Sequence, residues 1–196
     1  MDERDPHQRV GTNDIDDHFF LSERHWDDYA SKLDLVEKDL QKWHVILDLG
    51  SGCFQEFADD IEKLGFKDVK VLSIDPTLGI KSPSGAMRRT IARPNTAIAF
   101  AEELPLLDDS VDVIFALFSI PFYSMNDRDE LLAAKEMIRV LKPGGEIRIF
   151  PYNYSKRPLF LDEIETYPND EIQSEFFVKN KPNPLDGLLI IRKLKK

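Results

Sequence analysis

The sequence predicts an α/β fold in which a mostly parallel, doubly wound sheet carries helices on both faces. Three observations lead to this prediction. Short apolar, β-branched runs recur along the chain, amphipathic segments separate most of them, and a glycine-containing turn follows the first run. We expect one domain, because a chain of 196 residues fills one hydrophobic core well and two cores poorly.

The chain opens with a polar, Asp-rich segment that carries almost no apolar residues. Residues 1–20 are therefore predicted to form a flexible N-terminal arm, and residues 21–196 the single domain. From Ser22 to Leu40, apolar residues recur at helical spacing, which predicts one amphipathic helix before the first strand. His25 and Tyr29 are one helical turn apart in this segment. We expect Tyr29 to pack in the core and His25 to face solvent, unless this helix folds over a site.

Five apolar runs predict buried strands, at residues 45–50, 69–75, 96–101, 111–119 and 146–152. A helix is predicted over residues 55–64. A second is predicted over residues 127–141, where Asp127 and Glu130 have capping-box spacing and the Pro-Gly-Gly of residues 143–145 ends the helix.

After residue 152 the pattern changes. A short helix is predicted around residues 159–164, and β-rich runs at 171–179 and 187–196 are predicted to close the sheet as an antiparallel pair. Together with the five earlier strands, they make a Rossmann-like, mostly parallel sheet of seven strands with an antiparallel C-terminal strand.

The net charge and composition of the chain limit the classes of molecule that it is expected to bind. The formal net charge of -10 repels phosphate backbones and anionic membrane surfaces, so no nucleic acid or membrane partner is expected. A small-molecule or protein partner is expected instead. The single cysteine, Cys53, cannot form an internal disulfide and is expected to be inert. Because no apolar run would span a bilayer and no signal pattern opens the chain, the sequence predicts a cytoplasmic protein.

The turn after the first predicted strand reads Gly50, Ser51, Gly52. A lone Gly-x-Gly is weak evidence, but in a doubly wound sheet this turn is the backbone surface that a ligand touches. Two missing Cβ atoms would let a ligand lie against the peptide groups. The second predicted strand ends in Asp75, which can accept hydrogen bonds from both hydroxyls of a ribose. The two features predict an adenosine-type ligand.

The third glycine of the dinucleotide pattern Gly-x-Gly-x-x-Gly is absent, because Gln55 occupies its position. Asp48, just before the turn, would repel a pyrophosphate and suits a cationic amine. The predicted ligand therefore carries adenosine without phosphates. A nicotinamide-dependent oxidoreductase and a structural module with an empty cleft stay open as less favoured alternatives.

Four segments resemble the small class I methyltransferases that use S-adenosylmethionine. They are LDLGSG (47–52), IDP (74–76), AEELPLLDDSVDVIF (101–115) and EMIRVLKPGGEIRI (136–149). The resemblance covers about residues 45–150, and its last two segments are the most specific. It implies a Rossmann-like domain that binds S-adenosylmethionine and transfers its methyl group to a small-molecule or protein acceptor.

The resemblance also assigns residues to parts of the cofactor. Residues 50–52 would hold the methionine part and Asp75 the ribose, residues 101–103 would meet the adenine edge, and Phe118 and Ser119 would face the sulfonium. The predicted cofactor-binding residues are Asp48, Gly50, Ser51, Gly52, Asp75, Pro76, Ala101, Glu102, Glu103 and Phe118. No catalytic base is assigned, although Tyr123 is a candidate, and no metal site is predicted.

Two residues depart from the family pattern. Phe54 stands where the family usually has a further glycine, and Phe100 stands where it usually has an aspartate. Both changes are expected to weaken cofactor binding, unless Phe54 turns into the core and Glu102 replaces the missing acceptor. They favour a second hypothesis, a catalytically degenerate protein that still binds S-adenosylmethionine. A basic segment with Lys81 and Arg93 is either a site for an anionic substrate or a solvated loop.

Overall fold

The computed structural model describes residues 24–52, 54–78, 94–121, 126–152, 159–179 and 187–195. The predictions for the N-terminal arm, for Cys53, for the segment from Lys81 to Arg93 and for Tyr123 lie outside these residues.

Seven strands form one sheet in the order β3-β2-β1-β4-β5-β7-β6. They are β1 (Val45–Leu49), β2 (Lys70–Ile74), β3 (Thr96–Ala97), β4 (Val111–Leu117), β5 (Leu141–Tyr152), β6 (Ile172–Val178) and β7 (Gly187–Lys193). Strands β1 to β5 pair in parallel, whereas β7 is antiparallel to both β5 and β6. The predicted Rossmann-like sheet is confirmed. Strand order reverses between β1 and β4, and a crevice of this kind at the carboxyl ends is where such sheets bind ligands.

Five helices flank the sheet: α1 (Trp26–Leu33), α2 (Glu37–Leu40), α3 (Glu56–Lys63), α4 (Asp127–Val140) and α5 (Leu159–Ile164). The prediction of one continuous helix up to Leu40 is wrong. Asp34 takes a left-handed conformation with φ 58°, which ends α1 and redirects the chain into α2. Asp is one of the few residue types that adopt this conformation without glycine's freedom.

The capping-box prediction for α4 is also wrong. Its N-cap is Asn126, whose side chain accepts a hydrogen bond from the Asp129 backbone N–H at 3.1 Å. The third predicted strand is shorter than expected, because only Thr96 and Ala97 pair with β2. The chain then leaves the sheet and forms a turn at residues 101–102.

Two buried clusters cover the two faces of the sheet. One packs α1, α2 and α3 against Ile46, Val113 and Phe115, and the other packs α4 and α5 against Leu47 and Ile114. Each fully buried Leu, Ile or Phe side chain contributes about 1.5–3 kcal/mol. Dense packing on both faces holds the carboxyl ends of β1, β2 and β4 in fixed positions. Within the described ranges, no helix has the length and apolar character needed to cross a membrane.

Candidate functional site

The carboxyl ends of β1, β2 and β4 bring most of the predicted site residues together. Leu49 and Ile74 are register partners at the ends of β1 and β2, so the turn after β1 lies beside Asp75. The Gly50 backbone N–H donates to the Ile74 carbonyl at 2.7 Å, which ties the turn to β2. Ala101 is buried in the same cluster as Leu49 and Ile74. The predicted residues after β1, β2 and β3 therefore share one edge of the sheet.

Asp48 is a fully buried carboxylate near the end of β1. Its Oδ1 accepts a hydrogen bond from the Tyr29 hydroxyl at 2.7 Å, while Oδ2 has no partner among the residues that the structure describes. Burial raises the pKa of Asp48 to about 6, although the nearby Arg24 charge and the Tyr29 hydrogen bond act in the opposite direction. A buried oxygen without a donor is costly, and it marks a place where a cation would be favourable.

Tyr29 contributes to both the core and this site. It is fully buried and stacks on Phe57 with ring centroids 4.1 Å apart, which confirms the prediction of core packing. Its hydroxyl nevertheless reaches Asp48, so α1 does fold over the site. His25 is exposed and its ring Nδ1 lies 2.9 Å from Asp60 Oδ2, away from Asp48.

Asp75 organises the glycine turn. Its Oδ2 accepts from the Gly52 backbone N–H at 2.8 Å, and its Oδ1 accepts from the Thr77 backbone N–H at 2.7 Å and from the Thr77 hydroxyl. The carboxylate is 7% exposed. A carboxylate has about four lone-pair sites and three are occupied here, so one acceptor site remains, on Oδ2, for a ribose hydroxyl. Pro76 follows directly and is partly buried.

Position 50 requires glycine for a different reason from the one that the sequence suggested. An added Cβ would lie 2.4 Å from the Ser119 Cβ, so the missing side chain admits Ser119 rather than a ligand. The Ser119 hydroxyl donates to the Leu49 carbonyl at 2.8 Å and locks β4 to β1. Gly52 keeps its predicted part in the turn, since φ is +72° and its N–H is bound by Asp75.

Arg24 is the residue at this site that sequence analysis missed. Its guanidinium donates through Nη1 to the Leu117 carbonyl and through Nη2 to the Gly50 carbonyl, and it joins the ends of β4 and β1. The residue is 8% exposed, and its Nε is buried with no partner in the described part of the chain. Because Arg24 lies 93 residues from Leu117, no local pattern in the sequence could indicate the contact.

Phe118 follows β4 and projects from the crevice. It takes a left-handed conformation with φ 51° and is 40% exposed, and its ring meets Phe150 edge-on at 5.7 Å. An exposed aromatic residue in an uncommon backbone conformation is typical of a ligand-contacting position. Phe54, by contrast, is partly exposed and belongs to neither buried cluster, so it does not turn into the core.

The turn predicted to meet adenine is held by main-chain and helix contacts. The Glu103 backbone N–H donates to the Phe100 carbonyl at 3.2 Å, and the Leu104 backbone N–H donates to Glu136 Oε2 at 2.9 Å. Glu102 is partly exposed and Glu103 exposed. The structure thus holds this turn in place beside the carboxyl end of β2.

The site fits a ligand that carries a cation, an anion and a hydroxyl group. Among the residues that the structure describes, Asp48 Oδ2 has no donor and Arg24 Nε has no acceptor, and Asp75 Oδ2 has one lone-pair site left. The methionine part of S-adenosylmethionine has an ammonium and a carboxylate, and its ribose has two hydroxyls. Within the part of the chain that the structure describes, no group of three or more His, Cys, Asp or Glu side chains is arranged to hold a metal.

A separate cleft of about 640 Å³ lies at the opposite end of the sheet. It is lined by Arg139 and Lys193 among other residues. Arg139 is paired with Glu136 and Asp108, and Lys193 with Asp109. Arg139 and Lys193 are thus already paired within the protein, and none of the predicted site residues lines this cleft, so it is not the candidate site.

We predict that Asp75→Ala weakens binding of S-adenosylhomocysteine by about 5- to 150-fold, or about 1–3 kcal/mol. The variant removes acceptors for the ribose and also the partner that fixes the Gly52 N–H. Calorimetric titration measures the effect, with the exposed Asp68→Ala as the matched control. An unchanged dissociation constant would count against an adenosine site at this edge.

Comparison with known proteins identifies relatives of this chain. Residues 47–149 match a family model described as a methyltransferase domain. The chain is 40% identical over 68 residues to the ubiquinone/menaquinone biosynthesis C-methyltransferase UbiE of Geotalea daltonii. That match covers 35% of this chain and 27% of the relative, so the chain corresponds to about a quarter of its length.

Solved structures share the fold at low sequence identity. The N-methyltransferase NodS from Bradyrhizobium japonicum, solved in complex with S-adenosyl-L-homocysteine, superposes with a TM-score of 0.56 at 13% identity, covering 89% of this chain and 90% of that chain. The PH0226 protein from Pyrococcus horikoshii superposes with a TM-score of 0.54 at 17% identity, covering 98% and 100%.

Proposed function

This chain belongs to the methyltransferase domain family, and from that premise we propose that it transfers a methyl group from S-adenosylmethionine to a small-molecule acceptor. The observation that carries the proposal is the buried Asp48, whose Oδ2 lacks a donor beside the glycine turn where strand order reverses. Such a position is typical of a ligand site, and the unmet oxygen favours a cationic group there.

The residues at the crevice divide among the parts of the cofactor. We assign the ammonium to Asp48, the ribose to Asp75, and the backbone surface of residues 50–52 to the methionine part. The turn at residues 101–103 would border the adenine. Pro76 and Phe118 complete the predicted contacts.

S-adenosylmethionine supplies a methyl group on a sulfonium, which is already a good leaving group. The protein therefore has to hold the acceptor in line and keep water out, and positioning of this kind lowers barriers by several kcal/mol. Tyr29 and Asp48 form a buried pair beneath the site, and α1 covers it from one face of the sheet. No proton acceptor is assigned to the reaction.

We propose that the acceptor presents a flat, apolar ring. Phe118 is the exposed aromatic surface at the end of β4, and aromatic rings pack well against planar apolar groups. The curated relative from Geotalea daltonii is named for C-methylation in quinone biosynthesis, which agrees with such an acceptor. The net charge of -10 disfavours nucleic acids and anionic membranes as acceptors.

A catalytically degenerate binding protein is the second candidate. Phe54 and Phe100 favour it, because each replaces a residue that the family pattern uses at the cofactor. A weakened cofactor site is expected to lower the affinity for the cofactor more than the rate of methyl transfer, since methyl transfer depends mainly on positioning. We therefore favour an active enzyme of modest cofactor affinity.

The test is incubation with methyl-labelled S-adenosylmethionine and a broad extract of small molecules and proteins. We expect label in the small-molecule fraction with the parent protein and with Asp68→Ala, and little with Asp75→Ala. If the cofactor binds but no label moves above the Asp75→Ala background, the binding-protein function replaces the enzyme. Label confined to the protein fraction would make the acceptor a protein.

A further inference from the structure

We propose that the methyl acceptor is a small molecule whose flat ring carries an oxyanion, such as a carboxylate, and that Lys32 recognises this anion. The inference rests on the proposed function, because it names the charge of the acceptor that would pack on Phe118. It comes from one juxtaposition: Lys32 and Phe118 both lie against the ring of Phe150.

Helix α1 brings Lys32 to the carboxyl end of the sheet. Tyr29 and Lys32 are three residues apart, so they lie on the same side of α1. The Tyr29 hydroxyl reaches Asp48 in β1, and the Lys32 ammonium lies 5.3 Å from the centroid of the Phe150 ring, close to the end of β5. The side of α1 that covers Asp48 therefore also places a cation beside the crevice at β5.

The Phe150 ring joins Lys32 to the exposed aromatic surface after β4. Phe150 is 2% exposed, and the Phe118 ring meets it edge-on with the centroids 5.7 Å apart. The Phe118 backbone N–H also donates to the Phe150 carbonyl at 2.6 Å, which fixes the two residues together. Because the ammonium and the Phe118 ring both contact Phe150, one small molecule can touch both.

The charge of Lys32 is not neutralised by an acid of the described chain. Most lysines in this part of the chain form an ion pair with a carboxylate. The lysines without such a partner among the described residues are Lys32, Lys38, Lys67, Lys70 and Lys195. Lys32 is partly buried, whereas the other four are exposed. An anion therefore gains more from Lys32, because water screens a partly buried charge less.

The overall charge of the chain makes a local cation necessary for an anionic acceptor. A net charge of -10 repels anions at long range, and Lys32 offsets this repulsion at the acceptor surface. The acceptor ring would pack on Phe118, and a charge-assisted hydrogen bond from Lys32 Nζ would fix its orientation. A purely structural Lys32 would stabilise the end of α1 and the Phe150 ring without distinguishing charged from neutral ligands.

Two probes of similar shape, 2-naphthoate and 2-naphthamide, separate these roles. Each is titrated by calorimetry into the protein saturated with S-adenosylhomocysteine at pH 7, where only the first probe is an anion. Lys32→Gln removes the charge and Lys32→Arg keeps it, and the three residue types have similar helix propensities. Lys38→Gln, at an exposed position of α2, is the matched control.

We expect the parent to bind 2-naphthoate about tenfold or more tightly than 2-naphthamide, as one charge-assisted hydrogen bond provides. Lys32→Gln should weaken the binding of 2-naphthoate alone and so bring the two affinities together. Lys32→Arg and Lys38→Gln should keep the preference. The affinity for S-adenosylhomocysteine should change by less than about twofold in every variant, because Lys32 contacts none of the predicted cofactor residues.

Equal affinities of the parent for the two probes, or no binding of 2-naphthoate, would overturn the proposal. A preference that survives in Lys32→Gln would overturn it too, since another group would then recognise the anion. An equal loss of both probes in Lys32→Gln would make Lys32 only a support for the Phe150 ring. If the parent does not bind S-adenosylhomocysteine, the proposed function itself fails. Binding of S-adenosylhomocysteine without a preference for 2-naphthoate removes only the anionic acceptor.

Discussion

Gly50→Ala is expected to lower the free energy of unfolding by about 2–5 kcal/mol, from two independent effects. Gly50 has φ +78°, and an L-residue in this conformation costs about 1–2 kcal/mol. The new Cβ would also lie 2.4 Å from the Ser119 Cβ, and forcing extra atoms into packed structure costs about 1–3 kcal/mol. Urea denaturation of the parent and the variant measures the sum.

Gly65→Ala is the control for the cost of the left-handed backbone conformation alone. Gly65 has φ +85° but nothing within 4 Å of an added Cβ, so Gly65→Ala should lose only about 1–2 kcal/mol. The double variant Gly50→Ala/Ser119→Gly should recover part of the lost stability, because the new methyl group collides with the Ser119 side chain. Equal losses at Gly50 and Gly65 would show that the contact with Ser119 does not require glycine.

The sheet could be predicted because buried parallel strands are continuous apolar runs. Four of the five predicted runs correspond to strands of similar position, and the antiparallel pair after residue 152 is also confirmed. The prediction of a strand over all of residues 96–101 is wrong for a physical reason. This segment lies at the edge of the sheet, where only β2 is available for pairing, and the chain turns away after Ala97.

The conformation or hydrogen bonding of single residues explains why two helix predictions are wrong. The break after Leu33 depends on the left-handed Asp34, which an apolar repeat does not reveal. The N-cap of α4 is Asn126, one residue before the predicted Asp127, because the Asn126 side chain accepts a hydrogen bond from the Asp129 backbone N–H. Such details are decided by single hydrogen bonds, which patterns of hydrophobicity cannot resolve.

The acidic residues of the site could be inferred from motifs, but their partners could not. Asp48 and Asp75 stand at fixed distances from the ends of strands, which a linear motif captures. The Tyr29 and Arg24 contacts depend on how the segment before β1 folds back over the crevice. The contact with Ser119 that requires glycine at position 50 could not be predicted for the same reason, since Ser119 is distant in sequence and adjacent in space.

Asp48 is where the stability of the fold and the function of the site conflict. Asp48 is fully buried, and among the described residues its Oδ2 has no hydrogen-bond donor. Burial of a charge disfavours folding, and a cation delivered by a ligand would offset this cost. The conflict predicts a distinctive dependence of stability on pH.

We predict that the parent protein gains up to about 3 kcal/mol of stability relative to Asp48→Asn as pH is lowered from 7 to 4. The pKa of Asp48 is raised from 3.8 in the unfolded chain to about 6 in the fold. The native state therefore binds a proton more strongly than the unfolded state. The associated stability is fully present below pH 3.8 and is lost as pH rises through about 6. The asparagine variant has no such group and lacks this slope.

Urea denaturation of both proteins at several values between pH 4 and pH 7 checks the prediction. The pKa values of Asp39, Asp60, Asp112 and Glu136 are lowered in the fold, so the stability that these groups contribute is lost at acidic pH. They occur in both proteins and cancel in the difference. Asp68→Asn, at an exposed position, should follow the parent at every pH. Parallel curves for the parent and Asp48→Asn would mean that the pKa of Asp48 is the same in the folded and the unfolded chain. Burial would then carry no penalty for the Asp48 charge, and the conflict between stability and function at this site would be absent.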